Sequence, residues 1–395
     1  MKRLTPETKR RLGARSRLVH LGHDFEVTQG FVNVPAFRGS TVLFDDVESY
    51  GTGAQRFTYG THGSPTTEAL QEAWNDLSGA AGTELVPSGL AAIIVGLMTA
   101  LQAGDHLLMT DSAYFPTRRF CENGLKRMGV ETSYYDPEIG AGIVDLIRPN
   151  TKAIFTEAPG SQSLEMQDIP AIVAAAKPRE ICVLMDNTWA TPIFFPAHDF
   201  GVDIVIEAGT KYLSGHSDLL LGLASANAEW FPRLHSTVEH MAIPAGPEDV
   251  FLALRGLRTL DLRLREAERQ ALALALWLQG RPEVQRVIHP ALPDHPGHEI
   301  WKRDFKGSSG LFSLVLQPAS KTAVAALVES LELFGLGYSW GGYESLLIPF
   351  DCTNYRTATT WAPGGPTLRI SVGLEDLDDL KADLDNGFAA FRAAL

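Results

Sequence analysis

Between Glu84 and about Leu223, short apolar runs rich in β-branched residues alternate with segments of helical spacing. This alternation constrains the fold more than any other feature of the chain. Strands are expected at Glu84–Val86, His106–Thr110, Thr132–Tyr135, Ala153–Glu157, Ile181–Met185, Val202–Ile206 and Leu219–Ala224, with helices at Gly89–Gln102, Pro116–Met128 and Ile169–Ala176. Runs that are apolar at nearly every position suit strands covered on both faces, and strands alternating with helices build parallel βαβ units. The expectation is an α/β fold with a mostly parallel, seven-stranded sheet. Ligands of such sheets bind beyond the carboxyl ends of the strands, so the chemistry is sought along that edge.

The flanking segments divide the rest. Residues 1–62 show no sustained period and are expected to form an arm lying on the main body or on another subunit; a helix fits Thr66–Leu77. Residues 63–250 then hold the large α/β domain. Pro247–Leu278 reads as one or two long helices leading into a smaller α+β domain, residues 251–395. Its strands are expected at Gly310–Leu316 and Pro366–Val372, and its helices at Lys321–Leu333 and Glu375–Ala394. A chain of 395 residues is too long for one ordinary core, which agrees with this division.

A net charge of −13 argues against a nucleic acid or an anionic membrane as partner. The basic residues near the start (Lys2, Arg3, Lys9, Arg10, Arg11, Arg15, Arg17) precede no apolar segment and make no secretory signal. Leu90–Leu101, the longest strongly apolar run, is too short to cross a bilayer. Cys121, Cys182 and Cys352 are too far apart for a disulfide framework or a metal motif, so the chain reads as reduced, soluble and cytoplasmic. His289, His295 and His298, near Asp294, are broken up by prolines and read as a surface loop rather than a metal site.

Four strand ends carry groups that one ligand would need together. Ser88-Gly89-Leu90 opens a helix, whose first N–H groups hold an anion such as phosphate. Tyr114 follows the strand HLLMT, where its ring can stack on a planar ligand and its hydroxyl can transfer a proton. Asp186 ends ICVLMD, where a carboxylate is costly unless paired. Lys211 lies in Gly209-Thr210-Lys211, between two buried strands, and burial lowers the basicity of a lysine and makes its amine a nucleophile. Each has an ordinary explanation alone: an N-cap, a half-buried tyrosine, a capped aspartate, a turn lysine. Jointly they suit pyridoxal 5′-phosphate, with its phosphate on the helix, its ring nitrogen on the carboxylate and its aldehyde on the lysine. Arg369, in PTLRISV, offers a guanidinium fork for an amino-acid carboxylate, or a structural salt bridge. Ser339-Trp340-Gly341-Gly342-Tyr343 is a glycine-hinged loop whose tryptophan could wall a pocket.

With these residues in view, the chain resembles the cysteine/methionine-metabolism family of pyridoxal-phosphate enzymes, most closely its bacterial cystathionine β-lyases. The resemblance runs through Pro87-Ser88-Gly89, SAYFPTRRFC, EAPGSQSLEMQDIPAI, MDNTWATP, GTKYLSGHSD, HPALPDHPGHEIWKRDFKGSSGLFS, YSWGGYESL and TLRISVGLED, nearly the whole chain in order. It implies an aspartate-aminotransferase-like fold (fold type I) and a carbon–sulfur lyase acting on L-cystathionine and related S-substituted cysteines. The alternative on the same scaffold is γ-elimination or γ-replacement; a non-catalytic cofactor-binding protein is the rival of another class. By the same resemblance Lys211 is the Schiff-base lysine and proton shuttle, Asp186 the partner of the ring nitrogen and Tyr114 the stacking residue. Ser88, Gly89, Leu90 and Thr210 hold the phosphate, and Ser339, Trp340 and Arg369 the substrate. Tyr59 serves a neighbouring subunit of a homotetramer. Two departures stand out. The family's Tyr-x-Arg phosphate clamp is here Tyr59-Gly60-Thr61, and a serine often found two residues before Thr210 is Ala208. Arg56 or His62, close in sequence, is the expected substitute for the missing arginine.

Overall fold

A computed structural model of the chain describes residues 5–395; Lys2 and Arg3 of the basic cluster lie outside the described residues. The strands of the first sheet are β1 (Gly82–Val86), β2 (His106–Thr110), β3 (Glu131–Tyr135), β4 (Thr151–Glu157), β5 (Cys182–Asp186), β6 (Ile204–Ala208) and β7 (Gly222–Ala226). Their spatial order is β1-β7-β6-β5-β4-β2-β3, and β7 alone runs antiparallel to its neighbours. All seven expected strands are present, with ends shifted by up to three residues. A second, antiparallel sheet holds β8 (Val284–Ile288), β9 (Leu311–Leu316), β10 (Leu346–Phe350) and β11 (Thr367–Ser371), in the order β10-β11-β9-β8. β8 and β10 were not expected.

Helices cover both faces of the first sheet. On one face lie α1 (Pro65–Ser78) and, further along the chain, α4 (Ile169–Ala176); on the other lie α2 (Gly89–Ala100), α3 (Phe115–Phe120) and α5 (Phe231–Met241). α1 starts where Ser64 accepts the Thr67 N–H and Pro65 presets the first turn, and it stops at Gly79 in the left-handed region. Its buried stripe, Ala69, Leu70, Ala73 and Trp74, packs on the sheet, and the Trp74 indole donates to Ser225 at 3.1 Å. The stretch expected as one helix over Pro116–Met128 is α3 followed by a wide turn at Cys121–Leu125 and a tight one at Lys126–Met128.

α6 (Pro247–Leu257) and α7 (Leu260–Gln279) lead to the second sheet, which packs with α8 (Lys321–Glu329) and α9 (Leu377–Ala393). One apolar cluster runs from α1 through α7 to β9 and β11. The second sheet is thereby seated against the first, and its loops reach the edge where β4, β5 and β6 end.

The arm is less irregular than its sequence implies. It contains short helices at Pro6–Arg11, Ala14–His20, Phe25–Thr28 and Val47–Thr52, and it buries Leu18, Leu21 and Val34.

Candidate active site

The carboxyl ends of β4, β5 and β6 stand side by side, the register pairing Glu157 with Asp186 and Asp186 with Ile206. Alternation along β5 puts Asp186 on the face of Leu184, which α2 covers. One carboxylate oxygen of Asp186 accepts the Thr188 N–H at 3.0 Å, and no cation among the described residues lies at ion-pair distance. Burial holds its carboxyl above the ordinary range, although the Thr188 hydrogen bonds and the charge of Lys211 oppose this. A carboxylate stripped of water and lacking a cation is costly, and an N–H cation above the strand end would relieve it.

Lys211 follows β6 in a turn closed by its own N–H on the Ala208 carbonyl, at 2.9 Å. Its Nζ donates to Ser339 Oγ at 2.7 Å and lies 5.3 Å from the centre of the Trp340 ring. Burial first, and the charge of Arg369 second, lower its pKa to about 8, while Asp186 pulls the other way. A minority of this amine, but far more than of an ordinary lysine, is therefore neutral near physiological pH.

Arg369 enters from β11. Its Nη2 donates to the carbonyls of Tyr338 at 3.2 Å and Ser339 at 2.8 Å, and its Nε is buried without a partner. Burial lowers its pKa to about 10, which leaves it charged at neutral pH. A fixed guanidinium with an unused N–H, next to a weakly basic amine, makes a pocket for an amino acid's carboxylate.

Tyr114 caps α3, and its N–H donates to Glu157 Oε2 at 2.8 Å. Its ring is 45% exposed, which leaves a face free to cover a ligand. Its hydroxyl pKa is raised by burial and by the charges of Asp186 and Glu157, and Arg369 opposes them, so all these groups lie within electrostatic reach of one another.

At the start of α2, Ser88 accepts the Ala91 N–H at 3.1 Å, while the N–H groups of Gly89 and Leu90 have no acceptor inside the helix. Only glycine fits at position 89, because a Cβ there would stand 2.7 Å from that of Ala208. The helix start thus abuts the end of β6. Thr210 is already engaged: its hydroxyl donates to the Leu221 carbonyl at 3.2 Å and accepts the Leu221 N–H at 3.0 Å.

Ser88, Gly89, Leu90, Tyr114, Asp186, Thr210, Lys211, Ser339, Trp340 and Arg369 therefore gather along one edge. Tyr59 does not join them: it pairs with Thr41 on the arm, and its ring lies 6.1 Å from that of His62. Arg56, half-exposed, pairs with Asp24 (3.1 Å) and Glu68. His62 bonds Thr58 Oγ1 through Nδ1 at 2.9 Å.

Sequence reasoning passed over Glu157 and Thr188. Glu157 ends a predicted strand just as Asp186 does, and that parity was the available signal. Its buried carboxyl is raised well above the ordinary range by burial and by Asp186 beside it. Thr188 clasps two strand ends, its N–H on Asp186 and its Oγ1 taking the Ala208 N–H at 2.9 Å.

A family model described as Cys/Met metabolism PLP-dependent enzyme matches residues 15–389. The chain belongs to that family. The cystathionine beta-lyase of Escherichia coli K12 is 43% identical over 95% of this chain and 98% of its own length. The cystathionine beta-lyase of Haemophilus influenzae is 41% identical, covering 94% and 96%. A crystal structure of cystathionine gamma synthase from Xanthomonas oryzae pv. oryzae, in complex with aminoacrylate and cysteine, superposes with a TM-score of 0.89. It shares 32% identity over 97% of this chain and 100% of that one. The chain is thus a pyridoxal-phosphate-dependent enzyme of the expected fold type I class.

The residues fit the cofactor of this family. Among the described residues Asp186 lacks a cation at ion-pair distance, Lys211 presents a weakly basic amine, and the first N–H groups of α2 have no acceptor inside the helix, beside a glycine pressed against β6.

Proposed function

We propose that the chain is a carbon–sulfur lyase that cleaves L-cystathionine, and related S-substituted cysteines, by α,β-elimination. The observation that carries this reading is the weakly basic Lys211 amine, 2.7 Å from Ser339 Oγ and close to both Asp186 and Arg369. Full-length relatives named cystathionine beta-lyase support the choice of sulfur substrate.

When bound, the cofactor supplies an electron sink for the pair left on Cα when its proton departs. Lys211 holds the cofactor between turnovers and, once freed, takes the Cα proton. Asp186 keeps a positive charge on the ring nitrogen, and Tyr114 covers the ring. Ser88, Gly89 and Leu90 receive the phosphate, and Thr210 joins them by turning its hydroxyl from the Leu221 carbonyl. Arg369 and Ser339 hold the substrate's α-carboxylate, with Trp340 alongside. The Cβ–S bond then breaks with its electron pair on sulfur, which takes a proton. Hydrolysis of the remaining three carbons completes the balance: L-cystathionine and water give homocysteine, pyruvate and ammonia.

The test is product identity from L-cystathionine. Pyruvate with homocysteine is expected; 2-oxobutyrate with cysteine would move the chain to γ-elimination, and absence of α-proton exchange would make it a non-catalytic binder. Arg369→Ala is expected to raise KM by roughly 10- to 100-fold, the worth of a charge-assisted hydrogen bond, while the cofactor's absorbance is retained.

The same reading makes the protein a cytoplasmic homotetramer in which the arm, residues 1–62, carries Tyr59 to a neighbouring subunit's site. Phe25, Phe31, Val32, Leu43, Val47 and Tyr50, all exposed along this arm, support a covering subunit.

A further inference from the structure

Beside Tyr114 stands an aromatic pair that the reaction above does not use. The Phe115 ring is 42% exposed and lies 4.9 Å from that of Tyr355, inclined at 44°. Tyr355 belongs to the loop between β10 and β11. Its hydroxyl lies 3.0 Å from Cys352 Sγ and 3.3 Å from Gln162 Oε1, and the Gln162 carbonyl accepts the Ser313 hydroxyl at 2.6 Å. Ser313 is the register partner of Arg369. A relay of contacts from Phe115 through Tyr355 and Gln162 to Ser313 therefore runs from the residue after Tyr114 to the strand position beside Arg369, which puts the pair at the rim of the site.

The charges that hold this rim, Asp111, Arg118 and Arg356, are paired within it. Asp111 accepts the N–H groups of Thr357 (3.0 Å), Ala358 (3.1 Å) and Thr359 (2.8 Å), and pairs with buried Arg118 at 2.8 Å. Arg356 is consumed by Ser163 and by Glu165 at 3.0 Å. Exposed Arg119 lies one helical turn beyond Phe115, and with the charges of the rim paired internally the pair itself offers two aromatic rings and an amide. Such a surface offers stacking and dispersion to an apolar group and little to an ammonium or a carboxylate.

We infer that Phe115 and Tyr355 form the wall that receives the sulfur-borne leaving group, and that this wall favours thiols with aromatic or apolar substituents over the charged amino-acid half of cystathionine. The inference rests on the lyase reading and specifies its preferred substrate class.

The test compares kcat/KM for S-benzyl-L-cysteine and L-cystathionine within each holoenzyme, so that loss of active protein cancels. Wild type is expected to favour the benzyl substrate. Phe115→Ala and Tyr355→Ala should each lower that preference by about tenfold, mainly through KM, as loss of apolar contact in a pocket does. Tyr355→Phe keeps the ring and should hold the preference within about twofold. A preference unchanged in both alanine variants of a working lyase, or a wild type favouring cystathionine, overturns the wall alone. A cofactor-loaded wild type that makes no pyruvate from either substrate overturns the lyase reading and the wall with it.

Discussion

Lys211→Ala is expected to abolish turnover. Loss of proton transfer alone accounts for about 10²- to 10⁴-fold, and loss of the amine that anchors the cofactor adds to it. After borohydride treatment and denaturation, wild type should keep the cofactor's absorbance on the peptide containing Lys211, whereas the variant should release it. Near-normal pyruvate production by the variant, or a label fixed to another lysine, would refute the assignment. The lowered basicity gives a second readout in cofactor-free protein. Only the neutral amine acylates, so modification of Lys211 should rise with pH through a midpoint near 8, rather than near the ordinary 10.5.

Asp186→Asn keeps the shape and removes the charge. Turnover should fall by about 10²- to 10³-fold, the cost of deleting one electrostatic partner of developing charge. Slowed exchange of the substrate's α-proton for solvent deuterium should accompany the loss, with the cofactor still covalently held. The same change should raise the melting temperature of the cofactor-free protein at neutral pH, because a neutral amide is less costly to bury than a carboxylate without a cation. The sign follows from a pKa raised in the fold. Folding then opposes ionisation, so the gain is present above the ordinary carboxylate range and vanishes below it, where both states are protonated. An unchanged deuterium exchange rate would remove Asp186 from the chemistry.

The first sheet and the core of the site were legible in the sequence for one physical reason. Strands buried on both faces must be apolar throughout, so a polar residue closing such a run marks an edge. Asp186 stood out in that way, and Lys211 and Tyr114 by following such runs within a few residues. β8 escaped because Gln285 and Arg286 interrupt its apolar run, and β10 because Pro349 sits within it, as an edge strand tolerates. The arm's helices, of four to seven residues, are too short for a helical period to emerge. Nor does any local pattern join Phe115 to Tyr355 or Gln162 to Ser313; those neighbours exist only once the second sheet is seated on the first. Proximity in sequence offered Arg56 or His62 as a partial substitute for the missing arginine, and says nothing about Asp24 and Glu68, which pair with Arg56.

Asp111 grips the loop carrying Tyr355 largely by main-chain N–H groups, at Thr357, Ala358 and Thr359. Main-chain donors come with almost any amino acid, so the side chain at position 355 can be exchanged without the loop losing its perch, which Arg356 and Thr359 also hold by their side chains. Leaving-group preference can thus drift, or be engineered, at position 355 while the proton-handling apparatus stays untouched.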